Sequence, residues 1–208
     1  MLAAIESVPP EPFGLVTPAP ALAARAPGSR DVPLVTAAAL MIQALELEGN
    51  ERVLDVGTGS GYQAALLSRL AHDVYSIELD PRLAEAAQQT LHQLGFANVR
   101  VIQGDGTKGW PSAAPYQAIL VGGSVLEVPA ALLEELEEGG RLVLPIGNGR
   151  GQLVERLRKH ANALDSETVT WCALEPLVLG EATRRASYPW MAAAASTRSR
   201  SGGNTSGA

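Results

Sequence analysis

The chain has a single cysteine, Cys172, among 208 residues. No internal disulfide can form, and no cysteine-based metal site can be assembled. The three histidines, His72, His92 and His160, are scattered without zinc spacing and read as surface or edge residues, so no metal is expected. A basic excess is also missing. Lys and Arg number 16 against 22 Asp and Glu, for a net charge of −6 and a pI near 5.1, which argues against a nucleic-acid surface. No apolar run reaches the roughly 18 residues of a membrane span. The N-terminus has neither the basic start nor the apolar stretch of a signal peptide, so the cytoplasm is the expected compartment. What remains is 46% hydrophobic residues in a length that suits one globular domain with a full core.

Three regions are expected. Residues 1–36 are rich in Pro and Ala and should pack on the core; 37–194 form the main domain; the tail 195–208 lacks apolar periodicity and should be disordered. No internal repeat is visible. In the main domain, strand and helix patterns alternate. A helix over 37–47 has Leu40, Met41, Ala44, Leu45 and Leu47 on its buried side. Strand 53–56, helix 61–71, strand 73–78, helix 81–94 and strand 98–102 follow. The run 117–121 is continuously apolar, like a parallel strand covered on both faces. Helix 129–136, strand 141–146 and an antiparallel pair over 152–159 and 168–178 complete the pattern. The fold class is α/β: a mostly parallel, seven-stranded, Rossmann-like sheet with helices on both faces.

The stretch Val53-Leu54-Asp55-Val56-Gly57-Thr58-Gly59-Ser60-Gly61-Tyr62-Gln63 carries the chemistry. It reads as strand, tight turn, helix. Glycines at 57, 59 and 61 do not fit the G-x-G-x-x-G dinucleotide fingerprint, and no Lys follows Gly61 as a phosphate loop requires. Asp55, two residues before the first glycine, would repel a pyrophosphate and suit a cationic ligand. S-adenosylmethionine (SAM), with a sulfonium and an ammonium, fits better than NAD. The competing reading is a glycine-rich turn with no ligand. Two further strands also end in acids, Glu78 followed by Leu79, and Asp105 followed by Gly106. An acid at the first place hydrogen-bonds ribose hydroxyls in doubly wound folds, and Asp105 could accept from an adenine amino group. Each alone is an ordinary solvated strand end; three in successive βα units point to one ligand.

These residues resemble the protein-L-isoaspartate (D-aspartate) O-methyltransferase family. The resemblance rests on 52–65, Val74–Glu78, Gly104-Asp105-Gly106, Gly109-Trp110-Pro111, Ala114-Pro115-Tyr116 and Gly139–Gly147, and covers roughly 40–180. It implies a seven-strand SAM-dependent fold in which Gly57, Gly59 and Gly61, with Thr58 and Ser60 between them, line the cofactor. Glu78, beside Leu79, would hold the ribose, and Asp105 with Gly106 would meet the adenine. It further implies methylation of the α-carboxylate of isoaspartyl residues in aged proteins, a repair reaction on proteins or peptides. A monomer is expected, and charge and hydropathy speak against nucleic-acid and membrane partners. One departure stands out. The family's Thr-Ile-Ser-x-Pro segment aligns with Asp31-Val32-Pro33-Leu34-Val35, so Pro33 takes the place of the active-site serine. No catalytic residue is assigned; Thr36 or Ser29 could replace the hydroxyl only if the loop shifts.

A carboxylate acceptor has a pKa of about 4 and is ionised at neutral pH, so the reaction needs no general base. Catalysis would rest on alignment and water exclusion. Two alternatives stay open: the same cofactor site serving another acceptor, such as a peptide natural product or small molecule, and a catalytically silent SAM-binding relative.

Overall fold

The computed structural model describes residues 2–15, 34–148, 151–161, 163–172 and 174–178. Helix α1 (Leu2–Ser7) and a 3₁₀ turn (Glu11–Phe13) precede helix α2 (Leu34–Ala44). Then come β1 (Arg52–Val56), α3 (Tyr62–Ser68), β2 (Asp73–Glu78), α4 (Pro81–Gln93), β3 (Val99–Gln103), β4 (Tyr116–Val121), α5 (Ala130–Glu135), β5 (Leu136–Asn148), β6 (Gly151–His160) and β7 (Ala163–Cys172). The boundary expected at 36/37 falls inside α2.

The seven strands form one sheet in the order β3-β2-β1-β4-β5-β6-β7. Strands β1 to β5 pair in parallel, and β6 and β7 add antiparallel. Two successive connections step outward from β1 on one side, and β4 then starts on the other. The order therefore reverses between β1 and β4, and in open α/β sheets such a reversal opens a crevice beyond the carboxyl ends of the strands.

Side chains alternate across the sheet, as the period of two requires. Val53 of β1, Val74 of β2, Leu120 of β4 and Val143 of β5 face one core, shared with Met41, Ile42 and Leu45 of α2 and Leu66 and Leu67 of α3. Leu54, Ile77, Ile119 and Leu142 face a second core closed by Leu132 of α5. Coverage on both faces explains the unbroken apolar run of β4. In α4, Asp80 caps the N-terminus by accepting from Arg82 N at 2.8 Å, and Pro81 occupies the first turn. The N-terminal segment contributes Val8 and Phe13 to the first core, and the Phe13 ring meets Tyr62 edge-on at 5.5 Å.

Four expected elements differ, the first being α2, which spans Leu34–Ala44 rather than 37–47. Strand β5 begins at Leu136, not 141. Tyr116 pairs with Leu136 and Ala118 with Arg141, so Glu137–Gly140 form a bulge rather than a helix-ending turn. Strand β7 occupies 163–172, not 168–178. Its register on β6 starts at the hairpin, where His160 faces Ala163, and its outward Asp165 and Glu167 hid it from an apolar pattern. Beyond it, Leu174–Val178 lie outside the strand, with Leu174 N donating to Gln152 Oε1 at 2.7 Å, and make one isolated bridge, Ser124 to Pro176. Helix α3 is also shorter than the expected 61–71. The tail 195–208 lies outside the described residues. Among the described residues, no helix is long and apolar enough to cross a membrane.

Candidate functional site

The loop after β1 is stitched to β2. Gly57 N and Thr58 N both donate to Ile77 O, at 2.9 and 3.2 Å, and Gly59 N donates to Glu78 Oε2 at 2.8 Å. The turn needs Gly57 at φ +91°, where L side chains are strained. The other oxygen of Glu78, Oε1, accepts from Asp80 N at 3.0 Å. One carboxylate thus ties the glycine loop to the start of α4.

Above this loop lies a cavity of about 690 Å³. Its floor is the set of strand ends: Val56 to Ser60 after β1, Ile77 to Leu79 at β2, Gly106 after β3, and Gly122 with Gly123 after β4. Leu83, Ala86, Ala87 and Thr90 of α4 form one wall. Ala38 of α2 and Tyr62 and Gln63 of α3 also line the cavity, and two short segments far apart in sequence complete it, Pro12–Leu15 and Leu174–Val178. The second is held by Ser124 N donating to Glu175 O at 3.0 Å and Leu177 N donating to Ser124 O at 2.8 Å.

Of the residues singled out from sequence, Gly57, Thr58, Gly59, Ser60, Glu78, Leu79 and Gly106 line the cavity, whereas Asp55, Gly61 and Asp105 do not. Gly61 faces α4, where an added Cβ would lie 3.3 Å from Leu91. Asp105 turns its Oδ1 back to Thr107 N and Thr107 Oγ1, at 3.1 and 2.7 Å. Thr36 is half-buried in α2 and is not on the cavity wall. Pro33 and Ser29 lie outside the described residues.

Asp55 is fully buried beneath the loop. It sits opposite Ser76 in the β1–β2 register, so the two side chains share a face. Ser76 Oγ donates to Asp55 Oδ2 at 2.6 Å, and Gln63 Nε2 donates to Oδ1 at 2.7 Å. Ser76 has one proton and gives it to the carboxylate, so Thr58 Oγ1, 2.6 Å away, is the donor to Ser76. Burial pushes the Asp55 carboxyl up to about 6, against the two hydrogen bonds and with help from the charge of Glu78. At neutral pH it is ionised.

The Gly-Trp-Pro stretch works by packing. Glu135 is buried and accepts from Trp110 N at 2.7 Å. A Cβ at Gly109 would overlap that carboxylate. Tyr116 Oη donates to Trp110 O at 2.7 Å, clamping the segment from the other side.

The family model described as Protein-L-isoaspartate(D-aspartate) O-methyltransferase matches residues 30–182. The chain belongs to this family. A protein-L-isoaspartate O-methyltransferase of Roseiflexus sp. is 44% identical over 151 residues, 73% of this chain and 69% of that protein. Protein-L-isoaspartate O-methyltransferase 1 of Syntrophobacter fumaroxidans is 54% identical over 114 residues, 55% of this chain and 53% of that protein. The chain thus spans about half the length of several curated relatives that it matches. A solved structure titled protein-L-isoaspartate O-methyltransferase is 31% identical, with a TM-score of 0.65 over 70% of this chain and 47% of that one. The fold also matches a Plasmodium falciparum protein titled as a complex with S-adenosyl-L-homocysteine, at 19% identity and TM-score 0.64, over 85% of this chain and 88% of that one.

Within the family frame, sequence reasoning missed part of this site. The α4 stripe Leu83, Ala86, Ala87 reads as core, yet it walls the cavity. Gln63 and Tyr62 follow the glycines, and only the direction of α3 reveals that both reach the cavity. The segments Pro12–Leu15 and Leu174–Val178 carry no local signal at all.

Proposed function

We propose that this chain is a SAM-dependent carboxyl methyltransferase that methylates the α-carboxylate of isoaspartyl residues in proteins or peptides of the cytoplasm, a repair reaction. The observation that carries this reading is the cavity itself, built on the family's glycine loop at the carboxyl ends of β1, β2, β3 and β4. Its residues suit SAM. Each oxygen of Glu78 accepts one backbone N–H, which leaves lone pairs for the two ribose hydroxyls. Leu83, Ala86 and Ala87 offer an apolar face to the adenine ring, with Leu79 and Gly106 beside it. Gly57, Thr58, Gly59 and Ser60 hold the amino-acid end. When bound, SAM supplies an electrophilic methyl on a good leaving group.

The protein's own work is then positional. The loop and Glu78 fix the orientation, and Leu177 and Phe13 narrow the opening and exclude water. No side chain has to remove a proton, because the acceptor is ionised already. Pro33 in the serine's place favours a second reading, the same site with another acceptor.

The test is transfer of labelled methyl from SAM to a synthetic isoaspartyl peptide, with the aspartyl peptide as control. Base-labile label on the isoaspartyl peptide alone is the expected result. SAM binding without label on either peptide would overturn the substrate assignment.

A further inference from the structure

Asp55 stands where a carboxylate would meet a cationic ligand, yet it is sealed from the cavity. Gln63 lies between them. Its Nε2 donates to Asp55 Oδ1 at 2.7 Å, and its side chain lines the cavity. An ionised carboxylate only accepts, so the amide nitrogen must face Asp55 and the amide oxygen must face away. No described group donates to that oxygen. The amide sits at the end of β4 beside the glycine loop: a Cβ on Gly122 would lie 3.0 Å from Gln63 Nε2 and 3.2 Å from Gly57 O, while Val56 O is already taken by Gly122 N at 2.8 Å. The Gln63 amide oxygen and Gly57 O, with a carboxylate behind them, suit a cationic N–H donor.

We infer that Gln63 is a cofactor-binding residue whose amide oxygen accepts a hydrogen bond from the primary ammonium of the cofactor, and that Asp55 is the positioning residue that sets which end of the amide faces the ligand. This rests on the SAM reading of the cavity. Asp55 acts on the ammonium through Gln63, as an orienter and as a charge at one remove. The relay is anchored on its far side, since Ser76 and Thr58 occupy the second carboxylate oxygen.

The experiment is isothermal calorimetry with two ligands, S-adenosyl-L-homocysteine and its analogue lacking the amino group. The proteins are the full chain and Gln63→Met, which keeps the length of the side chain but offers no amide. A hydrogen bond to a charged donor predicts that Gln63→Met weakens S-adenosyl-L-homocysteine by about 10- to 150-fold. The desamino analogue should bind both proteins alike, within about threefold. Equal losses for both ligands, or no loss for either, would overturn the inference. Should the unmodified protein bind neither ligand, the SAM reading would fail first, so the two failures are distinguishable.

Asp55→Asn provides the second arm and covers the case in which Gln63→Met does not fold. The new amide either gives its oxygen to Ser76 and its nitrogen to Gln63, which reverses Gln63, or gives its nitrogen to Ser76, which then donates to Thr58 and leaves Gln63 in place. In both arrangements the charge behind Gln63 is lost, and in the first Gln63 also presents its nitrogen to the cavity. Loss confined to the ligand with the ammonium is expected; unchanged affinity for that ligand would refute the positioning role.

Discussion

The floor and the walls of the cavity are made differently. The floor is a set of strand ends whose hydrogen bonds are short-range in the sheet: Gly57 and Thr58 on Ile77, Gly59 on Glu78, Gly104 on Glu78 O. The walls at Pro12–Leu15 and Leu174–Val178 lie far apart in sequence; the first is held by local bonds to Pro10 and Glu11, the second by Ser124 and by the Gln152 side chain on Leu174. On the proposed cofactor reading, recognition therefore falls to the floor and enclosure to the walls. Recognition should break with single polar atoms, whereas enclosure should fade by degrees.

The sharpest way to break the floor is Glu78→Ala. It removes the acceptor of Gly59 N and Asp80 N and the proposed ribose partner together. Each hydrogen bond to a charged acceptor is worth about 1.5–3 kcal/mol, so S-adenosyl-L-homocysteine binding should fall at least about 100-fold by calorimetry. Binding within threefold of the unmodified protein would mean that the floor does not recognise the cofactor through this carboxylate.

A second test separates the stability of the floor from its function. Asp55 titrates at 3.8 when exposed and at about 6 when folded, mainly because burial disfavours the charge. Below about pH 4 both states are protonated. Between about 4 and 6 the folded state holds more protons, so stability falls as pH rises through that window and stays lower above it. The cost is at most about 3 kcal/mol. Asp55→Asn should recover part of it, raising the urea midpoint at pH 8 but not at pH 4, while the protein loses cofactor affinity. A stability difference independent of pH would refute this account. Such a trade of stability for function is what a buried charge beside a binding site implies.

The same division explains what could be read from sequence. Strand spans, their order of appearance and the glycine loop follow local periodicity and turn chemistry, and β1, β2 and β4 lie within a residue of expectation. Glu78 and Gly106 were legible as cavity residues because they belong to a row of strand ends in successive βα units, although Asp105 in the same row turns to Thr107 instead. Asp55 was legible as important but not as buried; which face it takes depends on the alternation of β1 and on Ser76 across the sheet. The bulge at 137–140 and the start of β7 depend on pairing partners, which a single strand does not encode. The cavity walls depend on where distant segments land. Leu83 and Ala86 have the same pattern whether they meet a core or a ligand.

The smallest effect is expected at the wall. Leu177 is half-buried, and its Cδ1 lies 3.4 Å from the point where a Cβ on Gly57 would stand. Its backbone N–H donates to Ser124 O whatever the side chain. Leu177→Ala should therefore leave the segment in place and remove only apolar contact. Burying part of a leucine is worth about 1 kcal/mol, so S-adenosyl-L-homocysteine should bind about fivefold more weakly, with the urea midpoint nearly unchanged. If the loss matched that of Glu78→Ala, the division would collapse, because enclosure would then count as much as the carboxylate. If cofactor affinity held but methyl transfer to the isoaspartyl peptide fell, the wall would belong to the acceptor rather than to SAM. Measuring Kd and kcat/KM on this one variant therefore locates the boundary between the two halves of the cavity.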